Sequence, residues 1–440
     1  MKGLAEELRQ QWKKSRLFRL WTILAVIGLV INLALTTLWQ MEIIPVEGSP
    51  PANDLMVYLA AGSRFLERQD LYIAPKPDFS LYAYSPVFAM IASLFTFIPY
   101  KIVWGIDALL HIIAYWAIYW RWFVIFRQQQ LHTAADILVR LFPLWLIFTG
   151  LLYEIAYMNI YIFMALIATL LIEAIINQQT GRAILWLAIL LPIKPQWAFA
   201  LGIPFLLGQW RFLAKVVIGG ILSYTAIFII TILIAGPYAL RQYGEYVQTL
   251  QSIPYTFVWN TMMKEGHIGY NNSIMQLVKF FTNNAPYSVG VSTALKLLLS
   301  LPLIAVLWRY RRYASTGATP GLALEWAFAL YFAAFIWLDV VTELSFSIVI
   351  FTYLLGTLSQ QRLRNIARIV FLPYAFAFIW ITVFSILSFA IPLPSAIVDP
   401  SFFIPVVLLA MLGLYGLVLW QLNNKLSRRV SPATGRQEVS

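Results

Sequence analysis

The chain is predicted to be an all-α, polytopic transmembrane bundle, and three observations predict it. Of 440 residues, 61% are hydrophobic and only 11% are charged, far from the usage of a soluble globular chain. Long apolar runs are separated by short polar connectors. The alternation over roughly 10 residues that marks barrel strands is missing, which leaves helices as the structures that satisfy the backbone in lipid.

The elements follow in order. Lys2, Arg9, Lys13, Lys14, Arg16 and Arg19 precede an apolar run from Leu20 to Leu38 that ends in Trp39, Gln40 and Met41 without a small-residue cleavage site. This reads as an uncleaved first span with a cytoplasmic N-terminus. Further spans are expected at 86–99, 102–126, 137–153, 157–176, 183–208, 213–235, 289–308, 321–338, 344–358, 366–391 and 402–423, about 12 in all. They form one domain over 1–423, with a Ser-, Arg- and Gly-rich tail at 424–440 expected to be disordered.

Lys and Arg clusters at 309–312, 362–368 and 425–429 mark the cytoplasmic side of the second half and place the C-terminus there. The loops at 42–85 and 236–288 then share the extracytoplasmic face. The same count puts Arg121, Arg127 and Arg140 beside an outside connector, against the positive-inside rule.

The net charge of +12 reflects this anchoring and is poor evidence for nucleic acid, which is not expected as a partner. The absence of cysteine removes thiolate nucleophiles and cysteine–zinc sites together. The three histidines, His111, His132 and His267, show no metal-ligand spacing, so neither a metal nor a cofactor is expected.

The stretch from Pro50 to Pro86 carries the densest candidate chemistry. Pro50, Pro51, Ala52 and Asn53 signal a helix start with Asn53 as cap and Asp54 in the first turn. There the helix dipole favours the carboxylate, either as a simple stabilising charge or as a general base. Tyr58, Ala61, Phe65 and Arg68 recur at helical spacing, the pattern of a helix along the interface. Tyr82 and Tyr84, ahead of Ser85 and Pro86, read as aromatic-belt residues or as the border of a cavity shared with Asp54.

Lys194 lies between Pro192 and Pro195 inside an apolar run, where the prolines should break the helix. It stands 12 residues from Arg182, roughly 18 Å along a helix, and a lysine stem of about 6 Å does not cover that distance by snorkelling. An anionic partner such as a lipid phosphate is the favoured reading. In the second long loop, His267, Asn271, Asn272 and Ser273 belong to a polar cluster suited to sugar hydroxyls, with Asn271 or Asn272 expected to cap the helix that follows. Asp339 and Glu343 form either an acidic rim or ordinary solvated loop charges.

Taken together, Asp54 to Tyr58, Leu71-Tyr72, Tyr84-Ser85-Pro86, Lys194-Pro195-Gln196 and Asn271-Asn272-Ser273 resemble the motifs of glycosyltransferase family 87, over roughly residues 50–280. Members often read Asn-Gln-Ser where this chain reads Asn-Asn-Ser. The resemblance implies a GT-C-class fold and an inverting, polyprenyl-phosphate-mannose-dependent transferase working on the extracytoplasmic face of the cell membrane. It further implies a lipid-linked or glycan acceptor, Asp54 as catalytic base, Lys194 at the donor phosphate, and substrate contacts from Tyr58, Tyr82, Tyr84, Gln196, His267, Asn271 and Asn272. The rival class is a transporter or lipid flippase, for which a broken helix and an intramembrane lysine are also at home.

Overall fold

The computed structural model describes residues 2–43, 53–73, 82–253, 271–310, 321–341, 344–388, 391 and 403–430. Every regular element among them is helical. Five helices are long and apolar enough to cross a membrane, and seven do so if each of two bent helix pairs counts as one crossing.

Helix α1 (Lys2–Lys14) leads through the Ser15 cap into α2 (Arg16–Gln40). Two short helices follow, α3 (Asp54–Leu66) and α4 (Pro86–Ser93), then the long α5 (Tyr100–Gln128). The next membrane-length path is broken into α6 (His132–Arg140), α7 (Phe142–Leu146) and α8 (Thr149–Tyr157), with a bend of 60° after Arg140. Pro143 explains the bend, because it cannot donate to the turn before it. Met158, in the left-handed region at φ 52°, turns the chain into α9 (Tyr161–Ile176). Then come α10 (Thr180–Ile193), a 3₁₀ turn at Pro195–Leu201, α11 (Gly202–Leu206), α12 (Trp210–Ala235) and the amphipathic α13 (Pro237–Ser252).

The last third comprises α14 (Ile274–Phe281), α15 (Ser288–Tyr310), α16 (Leu322–Trp337) and α17 (Ser347–Thr357). It closes with α18 (Gln361–Ala375), α19 (Ala377–Ser388) and α20 (Phe403–Val430). The core runs through the bundle, from Trp122, Trp145 and Trp197 to this last third, where Trp326, Phe328, Tyr331, Phe332, Phe351 and Phe371 are all at most 1% exposed. Close approach is helped by Gly356, where an added Cβ would lie 2.5 Å from Ala134 Cα on α6.

Two expected spans are corrected. The segment at 86–99 holds a helix of only 8 residues, about 12 Å long and far short of the roughly 30 Å of hydrocarbon. It packs on α3 instead of crossing. The chain therefore reaches Arg121 and Arg127 with one crossing fewer, and Arg127 ion-pairs with Glu7 of α1 at 2.5 Å. The positively charged connector lies at the same end of the bundle as α1, which removes the conflict with the positive-inside rule.

The second correction concerns 183–208, which is a helical hairpin and not one broken span. Its two ends meet near Gln178, whose Nε2 donates to Gln209 Oε1 at 2.7 Å, and Lys194 occupies the opposite turn. The C-terminal part of α20 returns to the α1 end, where Lys425 pairs with the fully buried Glu325 at 2.5 Å. The tail boundary also moves, since α20 continues seven residues past Asn423 to Val430.

Candidate functional site

At the end of the bundle opposite Arg127, four elements converge: the start of α3, the Tyr82–Ser85 turn before α4, the Asn159 turn between α8 and α9, and the Lys194 turn of the hairpin. Each is placed by local chemistry. Asn53 caps α3, its side chain accepting the Met56 N–H at 3.0 Å. Its amide also donates to Gln40 Oε1 and Tyr100 Oη, both at 2.6 Å, while Gln40 Nε2 donates to the Ala156 carbonyl at 2.7 Å. The start of α3 is thus tied to α2, α5 and α8. Gly62 allows α3 and α4 to touch backbone to backbone, since a Cβ there would sit 2.7 Å from the Ser93 nitrogen.

Lys194 is where proline chemistry placed it. It ends α10 after Pro192 and precedes the turn started by Pro195, with extended backbone at φ −142°. The Pro192 carbonyl accepts the Ser85 hydroxyl, joining the hairpin to the Tyr-Ser-Pro turn. Lys194 Nζ stands 4.0 Å from the Tyr161 ring centroid and 5.0 Å from that of Tyr84, a cation held between two aromatic faces.

Asp54 faces this cation. Burial pushes its carboxyl up from 3.8 to about 6, opposed by the Lys194 charge and by a hydrogen bond from the Asn159 side chain. Asn159 is itself fixed: its Oδ1 accepts the Ile160 N–H at 2.8 Å, and its carbonyl accepts from His111 Nε2 at 2.7 Å. A carboxylate with this pKa is ionised at neutral pH and still basic enough to take a proton, the range a general base requires.

The tyrosines close the region. Tyr58 and Tyr84 hydroxyls are 3.0 Å apart and their rings meet edge to face at 5.2 Å. The Tyr82 hydroxyl donates to the Ser85 carbonyl at 2.8 Å, and the Tyr72 hydroxyl to the Tyr84 carbonyl at 2.9 Å. Tyr58, Tyr82 and Tyr84 are all buried, and burial raises each phenol above its ordinary value. They are interior residues, Tyr58 and Tyr84 beside Asp54, and not an aromatic belt. Along α3, the Tyr58, Ala61, Phe65 face is likewise buried against protein. Gln196 lies two residues beyond Lys194 in the 3₁₀ turn.

The second loop resolves differently. His267 lies outside the described residues. The cap of α14 is Ser273, whose hydroxyl accepts the Gln276 N–H at 3.1 Å, so neither asparagine has that role. Asn271 instead clamps the chain after α16: its Oδ1 accepts the Val341 N–H at 2.9 Å and its Nδ2 donates to the Asp339 carbonyl at 2.7 Å. The Asn272 N–H donates to the Val341 carbonyl at 2.6 Å. Asp339 is no free rim charge, because Lys296 Nζ pairs with it at 2.5 Å. Glu343 lies outside the described residues. Asn271 and Asn272 therefore hold two segments together, and nothing among the described contacts brings them to Asp54.

Sequence reasoning missed Asn159, Tyr161, Glu154 and His111. Glu154 is fully buried, accepts the Ile162 N–H at 3.3 Å and lies close enough to Tyr58 for its charge to act on that phenol. The available signal was the polar interruption Met158-Asn159 between two apolar runs. No group of three or more metal-ligating side chains occurs among the described residues. No family model, curated protein or solved structure matches the chain, so the resemblance to glycosyltransferase family 87 rests on its motifs alone.

Proposed function

We propose that the protein is an inverting glycosyltransferase that moves a sugar, mannose by the resemblance, from a polyprenyl-phosphate donor to a lipid-linked or glycan acceptor. The observation that carries this reading is the buried Asp54 carboxyl lying close enough to the tyrosine-flanked ammonium of Lys194 for that charge to act on it. Transfer from a lipid phosphate needs a base for the acceptor hydroxyl and positive charge for the departing phosphate, and it needs no nucleotide site.

In the reaction, the Asp54 carboxylate takes the proton of the acceptor hydroxyl. The acceptor oxygen forms its bond to the anomeric carbon from the face opposite the phosphate. The anomeric carbon–phosphate oxygen bond breaks, and the electron pair leaves on the polyprenyl phosphate beside Lys194. A single displacement of this kind inverts the anomeric centre. The tyrosine hydroxyls and the Asn159 amide supply neutral donors and acceptors for sugar hydroxyls.

The reading places this end of the bundle on the extracytoplasmic face of the cell membrane, with both termini cytoplasmic and about 12 membrane passages in a GT-C-like arrangement. The hairpin at Lys194 counts as two of those passages. The test is incubation of the purified protein with radiolabelled polyprenyl-phosphate sugars and a membrane lipid extract. Transfer of label to a new product supports the enzyme. Movement of the labelled lipid between leaflets without any glycosidic product supports the flippase alternative and overturns the transferase.

A further inference from the structure

Helices α15 and α20 touch, with Arg309 bridging to Asn423, but leave a groove between them. The groove between them encloses about 490 Å³ and is walled by Leu299, Ala305, Val306, Leu412 and Leu419. Its polar lining consists of Arg309 and Asn423 at one end and Tyr415 further in. Two small or rigid residues keep it open. Pro302 lies inside α15 and interrupts its regular packing, and Gly416 on α20 presents no side chain. A Cβ built on Gly416 meets no heavy atom within 4 Å. The groove runs from Leu299 to Arg309, about 15 Å of helix, which is half of the roughly 30 Å hydrocarbon thickness and hence the depth of one leaflet.

We infer that this groove is a binding site for an anionic glycerophospholipid, its acyl chain lying along Gly416 and its phosphate on Arg309. Two features favour this occupant over bulk lipid. Arg309 is exposed, with Nη1 anchored on Asn423 Oδ1 at 2.8 Å, which orients the guanidinium and leaves its remaining N–H groups for phosphate oxygens. Positive charge at one end of an otherwise apolar groove between membrane helices matches the layout of an anionic lipid, whose charge sits at one end of a hydrocarbon chain.

The test uses delipidated, detergent-purified full-length protein, titrated with dioleoylphosphatidylglycerol or dioleoylphosphatidylcholine and read by native mass spectrometry. The expected result is one tightly held phosphatidylglycerol, bound about tenfold more weakly after Arg309→Gln and after Gly416→Phe. Leu222→Phe, on a lipid-facing position of α12 that is 64% exposed, serves as the control and leaves binding unchanged. Inorganic phosphate at the same concentration does not displace the lipid, because most of the binding is burial of the chain. Equal occupancy by the two lipids together with unchanged binding in Arg309→Gln, a surface substitution that leaves the fold intact, overturns the inference. So does unchanged binding in a Gly416→Phe protein that unfolds cooperatively.

Discussion

Asp54→Asn separates a catalytic carboxylate from a helix-start charge, because the two roles give opposite signs in stability. Asn53, not Asp54, makes the cap hydrogen bond to Met56, so the substitution leaves the cap in place. The change removes a first-turn charge that favours the helix by about 0.3 to 1 kcal/mol. It also removes the cost of holding a buried carboxylate ionised. A carboxyl raised from 3.8 to about 6 carries that cost at about 3 kcal/mol once it is charged in the folded state. The net expectation above pH 7 is a variant about 2 kcal/mol more stable than the parent.

The pH dependence fixes the origin. A folded-state pKa raised above the unfolded value contributes stability that is present at low pH and lost as pH rises through it. The melting-temperature advantage of Asp54→Asn is therefore near zero or slightly negative below pH 3.8, grows between pH 3.8 and about 6, and is flat above. Over the same range turnover falls roughly 100-fold or more, because the amide cannot accept the acceptor's proton, while donor affinity persists. The assay is one preparation carried through thermal unfolding at pH 4 to 8, donor binding and radiolabel transfer. A variant that is less stable at every pH and retains near-normal turnover refutes the base and identifies Asp54 as a helix-start charge.

The remaining expectations draw on the same geometry. Asn159→Ala removes a hydrogen bond that holds the Asp54 carboxyl down, so the acidic limb of the pH–rate profile moves to higher pH; an unmoved limb would show that this bond does not tune the base. Lys194→Met fills the space between Tyr84 and Tyr161 with an apolar stem, and donor affinity should drop about 10- to 100-fold with little change in melting temperature; unchanged affinity in folded protein rules out the phosphate role. Gly62→Leu forces α3 away from α4 at a backbone contact of 2.7 Å, with an expected loss of about 1 to 3 kcal/mol, read by thermal unfolding. The chain has no cysteine, so Ser80→Cys, Gln130→Cys and Ser427→Cys report topology cleanly. An impermeant thiol reagent on intact cells is expected to label only the first, and labelling of Gln130→Cys would restore 86–99 as a crossing.

Composition and apolar run length alone determined the helical membrane class, because a backbone in hydrocarbon has so few ways to satisfy its hydrogen bonds. Residue chemistry within a few positions was equally legible: Asn53 as cap and the break at Pro192 and Pro195, although the hairpin puts Lys194 at a turn at the end of the bundle and not within a span. These depend on local geometry that the chain carries with it.

What the sequence left open was whether an apolar stretch crosses or turns back. The 86–99 and 183–208 segments have the hydropathy of spans, but hydropathy does not record that α4 ends after 8 residues or that Gln178 and Gln209 meet. The Arg127–Glu7 pair decides the first case, and it joins residues 120 positions apart. Asn271 was misread for the same reason, since its partners at Asp339 and Val341 are distant in sequence. The raised pKa of Asp54 likewise comes from packing, because burial in the assembled bundle desolvates the carboxyl by more than Lys194 and Asn159, reaching it from other turns, hold it down. Desolvation and pairing across helices are properties of the assembled interior, and only the tertiary structure assigns them.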